Sequence, residues 1–232
     1  MTAKKACKQM SESMTLAVFL TLAGGFQDAY SYNCRGKVFA NAQTGNIVLL
    51  GQNLAQGNWD LVLRYLLPLA AFLAGVYITE WVHHRYKDYS RIHWRQIVLA
   101  IEILLLLIVG FLPQSLNGLA NMMMSFACAM QVNSFRKFRG IPCATTMCIG
   151  NMRSATEMLC KYHITRDKNL RKKSLHYYFV ILIFAVGAAA GALMSIRLGE
   201  RSIWLAAMLL MAGFILMFIK EDIPKSKRAI RE

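Results

Sequence analysis

The sequence is short of charge. Asp, Glu, Lys and Arg make up only 17% of its 232 residues, and just 12 residues are acidic. A soluble domain averages about a quarter charged residues, so too little polar surface is present to cover a water-soluble core of this size. Proline occurs only four times. Pro68 falls inside an apolar block, where a kink is expected, and Pro113 marks a turn. Several catalytic signatures are missing outright: H-E-x-x-H, G-x-S-x-G, a Walker A run and any paired-cysteine motif. The chain is therefore not expected to be an enzyme or to hold a metal or cofactor. The six cysteines (Cys7, Cys34, Cys128, Cys143, Cys148 and Cys160) show no C-x-x-C spacing and read as buried thiols. His83, His84 and His93 lack a second ligand set at zinc spacing. The basic N-terminus is followed by no small-x-small cleavage site, so an uncleaved first membrane span is expected.

What the chain does have is apolar residues, 56% of the total, gathered in long blocks. Six blocks read as membrane spans, near 14–33, 61–82, 97–112, 116–135, 175–196 and 202–219. The net charge of +15 does not point to nucleic acid, because the basic residues sit in the connectors. With the N-terminus inside, one side collects Lys4, Lys5, Lys8, Arg85, Lys87, Arg91, Arg95, Arg136, Lys137, Arg139, the 161–173 connector and the tail from Lys220. The other side holds only Arg35, Lys37, Arg64, Arg197 and Arg201. That is the positive-inside pattern, and it places both ends in the cytoplasm. The basic connectors are expected to meet anionic lipids.

Two stretches resist the span description. Residues 38–56 contain FANAQTGNIVLLG, too polar to face lipid, and residues 141–160 open with the fainter echo IPCATTMCIGN. Asp28-x-x-Ser31 falls on Gln131-x-x-Ser134, Gly36 on Gly140, and Thr44-Gly45-Asn46 on Ile149-Gly150-Asn151. Two copies of one unit are expected. Each holds three spans, and an odd number reverses the second copy, as in many secondary transporters. The fold class is thus all-α integral membrane, with six transmembrane helices in two inverted three-helix repeats. Each repeat carries a short polar helix, broken or re-entrant. The divisions are a cytoplasmic N-terminus at 1–13, repeats at 14–112 and 113–219, and a cytoplasmic tail at 220–232.

The run GGFQDAYSY, then FANAQTGNIVLLG, then Glu102 alone in an apolar helix, resembles the YoaK-like family of small, uncharacterised, multi-pass membrane proteins over essentially the whole chain. The resemblance implies a bacterial cytoplasmic membrane and no particular activity. The chain departs from that pattern at Ile149, where a threonine is expected.

The function expected from the architecture is transport of a small solute or ion between the repeats. A non-transporting structural or regulatory membrane protein is the alternative. Asp28, Asn41, Gln43, Thr44, Gly45, Asn46, Glu102, Gly150 and Asn151 are the candidate substrate- or ion-binding residues. A carboxylate inside a span is costly unless it is paired or hydrated. Asp28 is either functional, bonded to amides of the polar segment, or paired with Arg35 or Lys37. Glu102 exchanges protons, pairs with Arg153 or a histidine, or snorkels to the interface. Arg153 and Glu157 stand at pairing distance along a helix. The polar side chains of 41–46 either bind a solute or satisfy one another. A homo-oligomer is left open, with G-x-x-x-G at Gly187 and Gly191 as the stripe on which assembly would depend.

Overall fold

The computed structural model describes residues 13–86 and 94–219. The N-terminal cluster with Cys7, the connector residues 87–93 with His93, and the tail from Lys220 lie outside the described residues. Among the described residues there are eight α-helices: α1 Met14–Cys34, α2 Gln43–Ala55, α3 Trp59–Tyr86, α4 Trp94–Val109, α5 Asn117–Ser134, α6 Cys148–Thr165, α7 Lys168–Leu198 and α8 Ile203–Ile219. One small antiparallel hairpin, β1 Lys137–Phe138 and β2 Ile141–Pro142, separates α5 from α6.

Local chemistry sets the boundaries. Ser13 caps α1, its Oγ accepting from the Leu16 amide at 3.1 Å. The 161–173 stretch, expected as a basic loop, is almost wholly helical. Lysine and arginine are good helix formers, and two residues suffice to reverse the chain: Arg166 is left-handed (φ 59°), and Asp167 caps α7 by accepting from the Asn169 amide at 2.8 Å. Likewise α1 runs unbroken through Gly24, Gly25, Gln27 and Asp28. Those residues interrupt the apolar run without interrupting the helix. Helix α3 continues through Pro68.

The packing has an exchange pattern. Helix α1 packs chiefly on α7, and α3 on α5. Helix α1 also packs on α8 and α4 on α5, while α2 lies on α3, α6 lies on α7, and α4 meets α8. Replacing α1–α4 by α5–α8 and back leaves this list of principal pairs unchanged. Each half therefore lends its third helix to the first helix of the other. Small residues permit the two main contacts. A Cβ on Gly191 would lie 2.6 Å from the Phe26 carbonyl oxygen, and one on Gly75 would lie 2.7 Å from that of Phe126. The G-x-x-x-G stripe of Gly187 and Gly191 is thus filled by α1 of the same chain.

The pairings also fix direction. Gly187 meets Leu22 and Gly191 meets Phe26, so α1 and α7 are parallel. Gly75 meets Phe126 and Glu80 meets Asn133, so α3 and α5 are parallel. Asn121 reaches Arg35 while Gln131 lies by Leu20, so α1 and α5 are antiparallel. Gln27 meets Glu102 and Arg35 meets Val109, so α4 follows α1. Tyr30 meets Glu200 and Leu16 lies by Gly213, so α8 opposes it. Helices α5, α7 and α8 therefore run opposite to α1, α3 and α4, respectively.

The distribution of polarity is inside out. Gln27, Ser31, Arg35, Asn46, Glu102, Asn121, Ser125 and Gln131 are all essentially sealed from solvent. Meanwhile Leu73, Tyr77, Leu104, Leu182, Leu193, Ile196, Met208 and Phe218 are exposed on the outer faces of α3, α4, α7 and α8. Trp59–Arg85 and Lys168–Phe218, of 27 and 51 residues, are the two helical stretches long and apolar enough to cross a membrane among the described residues.

Candidate functional site

Beyond Cys34 the chain turns at Gly36 and Lys37, both at positive φ, and runs back along α1. Asn41 donates from Nδ2 to the Gly24 carbonyl at 2.7 Å. Gly24 lies ten residues before the end of α1, about 15 Å back along its axis. From this depth α2 departs toward α3.

The first turn of α2 leaves amide groups without intrahelical partners, and Ala42, at its N-cap position, supplies no capping side chain. Asp28 performs that task from α1. Its Oδ1 accepts from the Asn41 amide at 2.7 Å and from the Ala42 amide at 3.4 Å. A carboxylate here also faces the positive end of the helix dipole. Ser31 adds a second tie, accepting from the Ala40 amide at 3.0 Å. Arg35 does not pair with Asp28. It donates to the Tyr30 hydroxyl at 2.8 Å and to the Val109 and Leu112 carbonyls at 2.8 and 2.9 Å, closing the exit of α4. Lys37 stands over the Tyr32 ring, 4.6 Å from its centroid.

The second half repeats the device. After the β1–β2 hairpin, Thr145 and Thr146 come against Gly24. A Cβ there would lie 2.9 Å from Thr146 Cγ2 and 3.4 Å from the Thr145 carbonyl oxygen. One glycine near the middle of α1 is thus touched by both loops. The two asparagines make the same pair of bonds. Asn46 donates to the Phe39 carbonyl at 2.7 Å and accepts from the Phe39 amide at 3.0 Å. Asn151 does so with Ala144, at 2.7 and 3.4 Å. Each closes a loop seven residues long on itself.

Glu102 is fully buried at the centre of the bundle. It does not snorkel, and it does not pair with Arg153 or a histidine. Gln27 donates to it at 3.3 Å. With its amide oriented to suit both neighbours, Gln131 donates to it at 2.8 and 3.2 Å while accepting from the Thr145 hydroxyl at 2.8 Å. Gln131, aligned with Asp28 in sequence, thus also ties its helix to its loop, through a side chain instead of backbone amides.

Of the residues expected to form a site, Asp28, Asn41, Gln43 and Asn46 come together. Gln43 donates to the Ala40 carbonyl at 2.8 Å and to Ser125 at 3.2 Å, and accepts from Asn46 at 2.9 Å. Gly45 makes room for the Phe39 ring. Thr44 and Gly150 are exposed on α2 and α6, and Asn151 stays within its own loop. Helices α2 and α6 have their principal contacts with α3 and α7, so it is the loops preceding them that reach Gly24. Glu157 is held by Lys161 at 2.6 Å, in place of the expected Arg153. That hydrogen bond keeps its carboxyl below the usual range. Gln27, Ser31, Ser125, Thr145 and Thr146 were not expected as parts of this cluster. Gln27 stands beside Asp28, but nothing in the spacing shows that it faces Glu102. Among the described residues no group of three or more His, Cys, Asp or Glu is arranged to hold a metal ion.

A family model described as a protein of unknown function, DUF1275, matches residues 16–216. The chain belongs to the DUF1275 family. No curated protein and no solved structure matches it. The match covers all eight helices apart from a few terminal residues, so both loops and the Gly24 junction lie inside the family's extent.

Proposed function

We propose that this DUF1275 protein is a six-span membrane transporter for a small solute or ion, with its site between two inverted repeats. The observation that carries the reading is the convergence of two polar loops, one from each half, on Gly24. The helix directions support it. If α1 crosses outward, α3, α5 and α8 cross inward while α4 and α7 cross outward. Helix α2 then begins deep and returns to the outer side, and α6 begins deep and returns to the inner side. Both are re-entrant, and irregular backbone at that depth is tolerated because protein surrounds it. The same directions put Arg136, Lys137, Arg139 and the basic α6–α7 turn on the inner side, as the charge asymmetry requires. The apolar outer faces suit lipid, and the YoaK-like resemblance suits the bacterial cytoplasmic membrane. The loops leading into both half-helices reach one point, and helix N-termini favour a polar or anionic passenger.

A non-transporting structural or regulatory role is the second reading. The observation favouring it is that Asn46 and Asn151 spend their hydrogen bonds on their own loops and the residue beginning α2, and Gln43 divides its own between that loop and Ser125. Cysteine accessibility separates the two. Ala42 and Met147, at the starts of α2 and α6, are each replaced by cysteine in a chain whose native cysteines have been removed. A membrane-impermeant thiol reagent is applied from each side. Reaction at both positions is the expected result. Silence at both, from either side, means packed struts, and transport is then abandoned.

A further inference from the structure

Asp28 and Glu102 are both buried acids, but their charges are not equally matched. Asp28 faces two backbone amides and the positive end of α2. Glu102 lies in the middle of α4, with no cation beside it among the described residues. Its neighbours are two neutral amides. The oxygen of one of them, Gln27 Oε1, is buried and has no donor of its own. Gln27 is 1% exposed, and its Nε2 lies on Glu102, so its Oε1 lies within a few ångströms of the carboxylate. Gln131 has two orientations, of which its protein neighbours favour the first. Turned one way, it donates to Glu102. Turned the other way, it gives Nε2 to the Thr145 hydroxyl at 2.8 Å and presents its oxygen to Glu102. The cluster thus offers one acid with no countercharge and, with Gln131 turned the second way, two amide oxygens. Hard oxygen donors select hard cations, and a single acid that gives up its proton selects a monovalent one.

We propose that Glu102, Gln27 and Gln131 form a binding site for one sodium ion. Without sodium, Gln131 faces Glu102 as a donor. With sodium, its amide turns and Thr145 takes its Nε2. Because Thr145 belongs to the loop that touches Gly24, occupancy of the site changes the bond holding that loop to α5. In a transporter this is how a coupling ion would act, and that role rests on the transport reading. The binding site itself rests only on the surroundings of Glu102.

The test uses the purified full chain in detergent. Binding of radioactive sodium is measured with and without excess unlabelled NaCl. Melting temperature is read in NaCl, KCl and choline chloride at equal ionic strength. The wild type is expected to bind one displaceable sodium per chain. Its melting temperature is expected to rise by about 5–10 °C when sodium stands near 100 times its Kd. Glu102→Gln and Gln27→Leu are expected to lose both effects. No displaceable binding by the wild type overturns the proposal, as would follow if Glu102 were simply protonated, and so does an equal sodium shift in Glu102→Gln. The binding assay needs no variant to fold. Loop accessibility is read separately, so a water path without sodium binding sinks this site and leaves the transport reading standing.

Discussion

Arg35 offers the sharpest test of how the bundle is closed. It is completely buried, and among the described residues no carboxylate side chain bonds to it. Its Nε donates to Tyr30, one terminal nitrogen to Leu112 and to Asn117 Oδ1 at 3.1 Å, and the other to Val109. Two of these acceptors are carbonyls at the exit of α4. The Val109 carbonyl also accepts from the Leu112 amide at 3.1 Å, whereas the Leu112 carbonyl takes its hydrogen bond from Arg35. Arg35→Met removes a charge-assisted hydrogen bond from each, about 1.5–3 kcal/mol apiece. Part of that sum is offset because a guanidinium no longer has to be desolvated. The net loss is about 3 kcal/mol. For a chain of this length that corresponds to about 6–12 °C in melting temperature. Arg35→Lys keeps the charge but replaces a fork by a point, so most of the loss should remain. The assay is thermal unfolding in detergent followed by tryptophan fluorescence. A methionine variant that melts within about 1 °C of wild type would refute the clamp.

Asn46→Ala and Asn151→Ala remove the same pair of loop bonds in the two halves. Each is expected to cost about 1–3 kcal/mol, and their sum should match the double variant. Unequal costs of the two single variants would show that the loops are not equivalent, and strong non-additivity would show that they are coupled. Gly191→Leu sets a side chain against the backbone of α1, which cannot yield as a side chain could. The expected result is more than about 3 kcal/mol of destabilisation, and a variant that expresses and melts like wild type would contradict the packing.

Much of the architecture was legible in the sequence, because periodicity and composition act locally. Each of the six apolar blocks carries a helix, and the two polar stretches became α2 and α6 with the loops before them. The aligned asparagines occupy equivalent bonds, even though Thr44 and Ile149 beside them differ: both side chains point outward, where neither is needed. What could not be read was direction across the bundle. Glu102 stands one turn or so inside its apolar block, where snorkelling is cheap for a lone helix. Its fate was decided by Gln27 and Gln131, 75 and 29 positions away, and no spacing rule spans such distances. The 161–173 connector is hard to read for the opposite reason. Its charges signal exposure, and exposed lysines and arginines extend helices as readily as they fill loops.

The exchange of third helices has a consequence for how the chain is made. Helix α1 is synthesised early, but its main partner α7 is separated from it by about 130 residues. At about 5–20 residues per second, α1 waits roughly 7–27 s with its glycine face uncovered. Helix α3 waits far less for α5. The first half cannot finish folding before the second arrives, and a ribosome stalled between the halves leaves an unclosed protein. Two half-chains made separately should be degraded alone and rescued together, each serving as the other's template.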